Sequence, residues 1–121
     1  WILRQKVTTT LNFFYLYQLP IPRLTARDPA FTPIVTRAAR LTCITPEFDA
    51  LAKEVGLKHH QPLELSECAR LRAELDGLVA HLYGLTEEEF VHILATFPLV
   101  PDPVKVVARN AYRDVERGMV E

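Results

Sequence analysis

The feature that most constrains this chain is a run of helix starts and stops that begins at Asp28 and continues to its C-terminal end. Asp28-Pro29, Thr45-Pro46 and Asp102-Pro103 each pair a capping side chain with a proline. Proline's fixed φ and missing N–H suit the first helical turn. Ser66 offers a further start. Thr86-Glu87-Glu88-Glu89 spells a capping box, with Leu85 able to staple onto Phe90. Gly56, Gly84 and Gly118 stand where a left-handed residue ends a helix, and Pro98 stops another. Apolar residues recur at helical spacing between these marks. They fall at 31, 34, 35, 38, 41 and 42–44; at Phe48, Leu51, Ala52 and Val55; and at Leu71, Leu75, Leu78 and Leu82. The pattern resumes at Phe90, Ile93, Leu94 and Phe97, and then at Val104, Val107, Ala108, Ala111, Tyr112 and Val115. The expected fold is mainly α: about five packed helices over 28–121, preceded by a short strand or extended arm over 1–27.

The arm reads differently. Residues 1–8 are strand formers with imperfect alternation, and Thr8-Thr9-Thr10 reads as a turn or cap. Residues 11–18 carry Phe13, Phe14, Tyr15 and Tyr17, read as a short helix, with Phe13 and Phe14 anchoring the arm to the core. Pro20 and Pro22 then hold Leu19–Pro22 extended.

Composition removes several classes of function. A chain of 121 residues is one domain or part of one, and 49% hydrophobic residues is too many for disorder. No run of about 18 apolar residues exists to span a membrane, and no signal-peptide pattern opens the chain. Cys43 and Cys68 form no disulfide framework and read as buried thiols in a reducing, cytoplasmic compartment. Four glycines exclude a glycine-rich phosphate loop. The opening on Trp1 reads as the edge of a piece cut from something longer.

Charge is divided. Residues 1–46 hold six basic residues and one acid, whereas residues 47–121 hold eight basic and fourteen acidic residues. Such asymmetry points to a polyanion partner. It equally fits two halves that attract each other within the fold, or a basic half that meets an acidic partner domain. Lys105, Arg109, Arg113 and Arg117 recur every four residues, a stripe about 18 Å long at ~1.5 Å rise per residue. The stripe reads either as a phosphate track or as a solvated helix face, with Arg113–Glu116 and Asp114–Arg117 pairing locally. Arg70 and Arg72 can pair with Glu74 and Asp76.

No catalytic constellation emerges. His59 and His60 sit in a loop without a third ligand at metal spacing, so no metal is expected. His81 and His92 read as surface or boundary residues. Glu87, Glu88 and Glu89 are accounted for by capping, and Glu74 and Asp76 do not share a helix face. No serine occupies a nucleophile elbow, and neither cysteine has a histidine near it in sequence. Arg4, Gln5 and Lys6, beside the aromatic segment, are the best candidates for DNA contact, followed by Arg23 and Arg27.

The order of segments carries a resemblance. Leu3-Arg4-Gln5-Lys6-Val7 leads to Leu11-Asn12-Phe13-Phe14 and then to Gln18-Leu19-Pro20-Ile21-Pro22. Leu71-Arg72-Ala73-Glu74-Leu75-Asp76, His81-Leu82-Tyr83-Gly84-Leu85-Thr86 and Ile93-Leu94-Ala95-Thr96-Phe97-Pro98-Leu99-Val100 follow. Across nearly its whole length the chain resembles the C-terminal end of large bacterial N6-adenine DNA methylases of restriction–modification and phage-defence systems. Some members of that family fuse methylase and restriction nuclease.

The resemblance implies a parent that binds duplex DNA, takes S-adenosylmethionine and methylates a flipped adenine. The family's Asn-Pro-Pro-aromatic tetrapeptide and cofactor motif are absent from this chain, so no catalytic or cofactor residue carries over. Residues 1–27 then correspond to the tail of a target-recognition region, and 28–121 to a helical C-terminal body. The expected function is non-catalytic support of DNA recognition, with the upstream methylase and recognition domains as partners. The alternative is a purely structural module that packs on the missing domain or self-associates.

Overall fold

The computed structural model describes residues 13–120. The expected strand over 1–8, the Thr8–Thr10 turn and the side chains of Arg4, Gln5 and Lys6 lie outside the described residues. A single helical turn, Phe13–Leu16, precedes the body. The body comprises α1 (Phe31–Thr42), a 3-10 turn (Pro46–Phe48) running into α2 (Asp49–Glu54), α3 (Leu65–Leu82), α4 (Glu87–Ala95) and α5 (Asp102–Glu116). The fold is mainly α, with no strand among the described residues. No helix among them is long and apolar enough to cross a membrane.

The long helix α3 is the centre. It packs most extensively against α5, then against α1, while α4 closes on α5. Leu71 and Leu78 of the expected seam are buried, and Leu75 and Leu82 are half-buried. A second face, which periodicity did not single out, carries Ala73, Gly77 and Ala80. A Cβ built on Gly77 would stand 2.9 Å from the Tyr112 backbone N and 3.0 Å from the Ala111 carbonyl carbon. The two helices therefore meet backbone to backbone at this point.

Tyr112 organises the adjoining core with Ala80, Phe90 and Ala108, onto which Leu85 and Leu94 pack. Its ring stacks on His81 at 4.0 Å and on Phe90 at 5.6 Å. Its hydroxyl donates to the Leu85 carbonyl at 2.7 Å. His81 Nε2 lies 2.9 Å from the Tyr112 carbonyl. A carbonyl only accepts, so Nε2 carries the proton.

Local signals were realised unevenly. The capping box forms as expected: Glu89 N–H donates to Thr86 Oγ1 at 3.3 Å, and Thr86 N–H donates to Glu89 Oε2 at 2.9 Å. Gly56, Gly84 and Gly118 all take positive φ. Each ends a helix with the paired bonds of a Schellman motif, as in Leu57 N–H to the Ala52 carbonyl and Gly56 N–H to the Lys53 carbonyl.

Other starts moved. Asp28 does not cap α1, which begins at Phe31. Its carboxylate instead accepts from Thr25 N–H (2.7 Å) and Thr25 Oγ1 (2.9 Å), because a short acidic side chain competes for nearby donors. α1 ends at Thr42, short of the exposed Ile44. Thr45 makes no capping bond, its Oγ1 is buried without a partner, and Pro46 opens a 3-10 turn rather than an α-helix. Within α2, Ala52 is fully buried but Leu51 is exposed. α3 starts one residue before Ser66, with Glu64 at the capping position.

Two further expectations about burial fail. Phe13 and Phe14 are 70% and 68% exposed on a helical turn of only four residues. Val104 and Val107 are 51% and 47% exposed; the residues α5 buries are Ala108, Ala111 and Tyr112. The arm is nonetheless tied down, since Tyr83 Oη donates to the Pro20 carbonyl at 3.0 Å.

Gly77→Ala should destabilise the chain by about 1–3 kcal/mol, even though alanine is the better helix former, because the new methyl meets backbone that cannot rotate away. Urea denaturation measures this. A variant as stable as the unaltered chain would refute the close approach.

Candidate functional site

Two groups of polar side chains invite a chemical reading: the cations shared among the helices, and the histidine loop after α2. In the first group, α1 presents Arg37 and Arg40 to Glu74 and Glu67 of α3. Arg37 Nε lies 2.6 Å from Glu74 Oε2, and the two side chains are only 12% and 13% exposed. Arg37 Nη1 also donates to the Pro33 carbonyl at 3.0 Å. Arg40 pairs with Glu67, and Arg70 bridges Glu74 at 2.6 Å and Glu67 at 3.7 Å. The expected Arg70–Glu74 pair therefore forms, while Arg72 is exposed. Burial pushes the Glu74 carboxyl up, but the hydrogen bonds and charges of Arg37 and Arg70 outweigh it and hold it below its ordinary value.

The α5 stripe is only partly open. Glu87, at the start of α4, lies between two of its members: Arg113 Nη2 approaches at 2.6 Å and Arg109 Nε at 3.2 Å. The Arg113 hydrogen bonds, helped by the charges of Arg113 and Arg109, lower the Glu87 carboxyl. Arg113 is raised in turn by Glu87. Lys105 stands 3.8 Å from Asp102. Arg117 is exposed and makes no ion pair with a described residue. The local Arg113–Glu116 and Asp114–Arg117 pairs do not form, since Arg113 turns to the neighbouring helix instead. Arg23 and Arg27 are exposed on the segment before α1. The Arg27 backbone N–H reaches Thr25 Oγ1 at 3.4 Å.

In the second group, His60 is clipped to the start of α2. Asp49 Oδ1 accepts from both the His60 backbone N–H and its Nδ1, each at 2.8 Å. These bonds, the backbone one foremost, lower the Asp49 carboxyl. His59 Nδ1 lies 2.6 Å from the His60 carbonyl, so both rings carry their proton on Nδ1. Sequence spacing missed the Asp49–His60 link because eleven residues and a helix separate the partners.

A recess of about 220 Å³ beside this loop is lined by Arg40, Cys43, Leu57, Lys58, His59 and Gln61, among others. Cys43 is 1% exposed, and its carbonyl accepts the Gln61 N–H at 2.9 Å. The thiol is thus sealed under the loop rather than presented to a substrate. Among the described residues no group of three or more His, Cys, Asp or Glu side chains is placed to hold a metal ion.

Comparison with protein-family models, curated proteins and solved structures finds no match to this chain.

The lowered carboxyls of Asp28, Asp49, Glu74 and Glu87 set an acid limb of stability. A depressed folded-state value contributes stability above the unfolded value, near 4 for carboxylates, and loses it as pH falls through the folded value. Unfolding free energy from these groups should be complete above about pH 5 and decline below about pH 4. The double variant Glu74→Gln/Glu87→Gln should be less stable at pH 7 and show a shallower acid decline, measured by urea titration across pH. An acid limb of unchanged steepness would contradict the assignment.

Proposed function

We propose that this chain is the non-catalytic C-terminal helical body of a restriction–modification or phage-defence DNA adenine methylase, bracing the target-recognition region of its parent. In this reading duplex DNA and the upstream domains are the partners and the cytoplasm is the compartment. S-adenosylmethionine chemistry, and any nuclease, belong to the missing part. The observation that carries the bracing role is the division of charge between body and arm. Arg37, Arg40, Arg70, Arg109 and Arg113 bind acids, four of them on a neighbouring helix, which stiffens the body. Arg23 and Arg27 are exposed and form no ion pair with a described residue. Phosphate binding needs cations that are not already neutralised. In this reading contact with DNA falls to the arm, through Arg23 and Arg27 and through Arg4, Gln5 and Lys6 upstream of them; Lys53, Lys58 and Arg72 of the body are exposed without an ion pair to a described residue as well. Arg117 adds to it from the end of α5.

A salt series of duplex-DNA binding by the whole chain tests this. Affinity should fall steeply with salt, and Arg23→Gln/Arg27→Gln should reduce the log–log slope by about 0.9 for each phosphate that is no longer neutralised. Glu87→Gln should raise affinity by freeing Arg109 and Arg113. Affinity indifferent to salt overturns the DNA reading, and methyl transfer by this chain alone overturns the non-catalytic one.

One observation favours the alternative of a packing module. Phe13, Phe14, Tyr17 and Ile21 are all exposed along the arm, with Phe13 stacked on Tyr17 at 5.8 Å. Such a surface suits the missing domain or a second copy. Sedimentation at several concentrations should show mass rising with concentration, and Phe13→Ser/Tyr17→Ser should remain monomeric. A monomer at every concentration in both argues against self-association.

A further inference from the structure

The recess of about 220 Å³ beside the histidine loop is rich in donors and free of acids: its lining includes Arg40, Lys58, His59 and Gln61 but neither aspartate nor glutamate. Arg40 spends only Nη2 on Glu67, and its Nε and Nη1 donate to no described residue. Glu67 is itself shared with Arg70, so it does not fully neutralise Arg40. Lys58 is exposed and makes no side-chain hydrogen bond or ion pair with a described residue. The backbone N–H groups of Lys58 and His59 likewise donate to no described residue. Leu57 and Leu63, both half-buried, give the wall an apolar side.

A phosphate monoester near neutral pH carries close to two negative charges and three strong acceptor oxygens. Arginine's planar fork matches that geometry, and lysine adds a compact point charge. Recess walls of low dielectric focus the field of such cations. We propose that this recess binds a small phosphomonoester, its phosphate held by Arg40 and Lys58 and its ester group against Leu57 and Leu63. The site is independent of the DNA contacts assigned to the arm. α1 and α2 both end beside the recess, at Cys43 and just before Gly56, and cations also stabilise helix C-termini. That role alone gives a stability cost on substitution but no saturable binding.

Calorimetric titration of the whole chain with inorganic phosphate, at ionic strength held constant with sodium chloride, should give saturable one-to-one binding. Phenyl phosphate should bind more tightly, because its ring covers the leucines. Lys58→Gln should weaken both about fivefold, as expected for the loss of one exposed charge contact. Lys58→Glu should abolish binding, and Lys58→Arg should retain it. Lys53→Gln removes an exposed cation of α2 that does not line the recess, and should leave the affinity unchanged. Far-UV circular dichroism checks that the helices persist.

No saturation with either probe would refute the site and leave its cations to the helix ends. Equal weakening by Lys53→Gln and Lys58→Gln would refute it too, since phosphate would then respond to general surface charge. Phenyl phosphate bound more weakly than inorganic phosphate would overturn the apolar seat. Displacement of phenyl phosphate by a duplex with 5′-hydroxyl ends would assign the recess to the DNA backbone and overturn the small ligand. The direct titrations contain no DNA, so their failure leaves the DNA reading standing.

Discussion

The approach of α3 to α5 at Gly77 is the constraint on which the rest of this structure depends. With no side chain there, the Tyr112 backbone comes to a distance that any Cβ would obstruct. That proximity brings the Tyr112 ring onto His81 and Phe90 and its hydroxyl to the Leu85 carbonyl. The start of α4 is thereby fixed, since Leu85 immediately precedes the Thr86 cap. With α4 in place, Glu87 reaches Arg109 and Arg113 of α5. A single absent methyl group thus propagates through aromatic stacking and one hydroxyl bond into the charge pattern of the surface. Close packing leaves few independent degrees of freedom, so a local approach distance determines neighbouring geometry.

The uneven distribution of charge along the chain has a largely internal use in the helical body. Arg37 and Arg40, from the basic half, are held by Glu74 and Glu67, from the acidic half. Attraction between the halves within the fold was one of the readings of that asymmetry. The shielded Arg37–Glu74 pair is its strongest instance, because removal from water reduces screening while Arg70 and the Pro33 carbonyl add further bonds to Glu74 and Arg37. The exposed members of the network contribute less. Arg23, Arg27 and Arg117 are exposed and make no ion pair with a described residue.

Elements governed by neighbours in sequence were legible and those governed by neighbours in space were not. The Thr86–Glu89 box and the glycine ends at 56, 84 and 118 are built from residues within a turn of one another, so their chemistry is complete in the sequence. Asp28 and Thr45 carry the same kind of signal yet do not cap, because a nearer hydroxyl or a 3-10 opening took precedence. Val104 and Val107 keep helical spacing but are exposed, since α5 buries Ala108, Ala111 and Tyr112 instead. In the candidate site, the Arg70–Glu74 spacing could be read directly. The Glu87 bridge and the Asp49–His60 clip could not, since each joins residues from different elements.

The amino-acid sequence alone determined that this chain would be mainly helical and where most helices end, because caps, glycines and apolar periodicity act over a few residues. Tertiary structure decided which face of α3 meets α5, which arginines stay free of acids, and that Cys43 is sealed beneath the histidine loop. Those outcomes depend on backbone approach and on which side chains face one another across helices, quantities that no short-range spacing encodes.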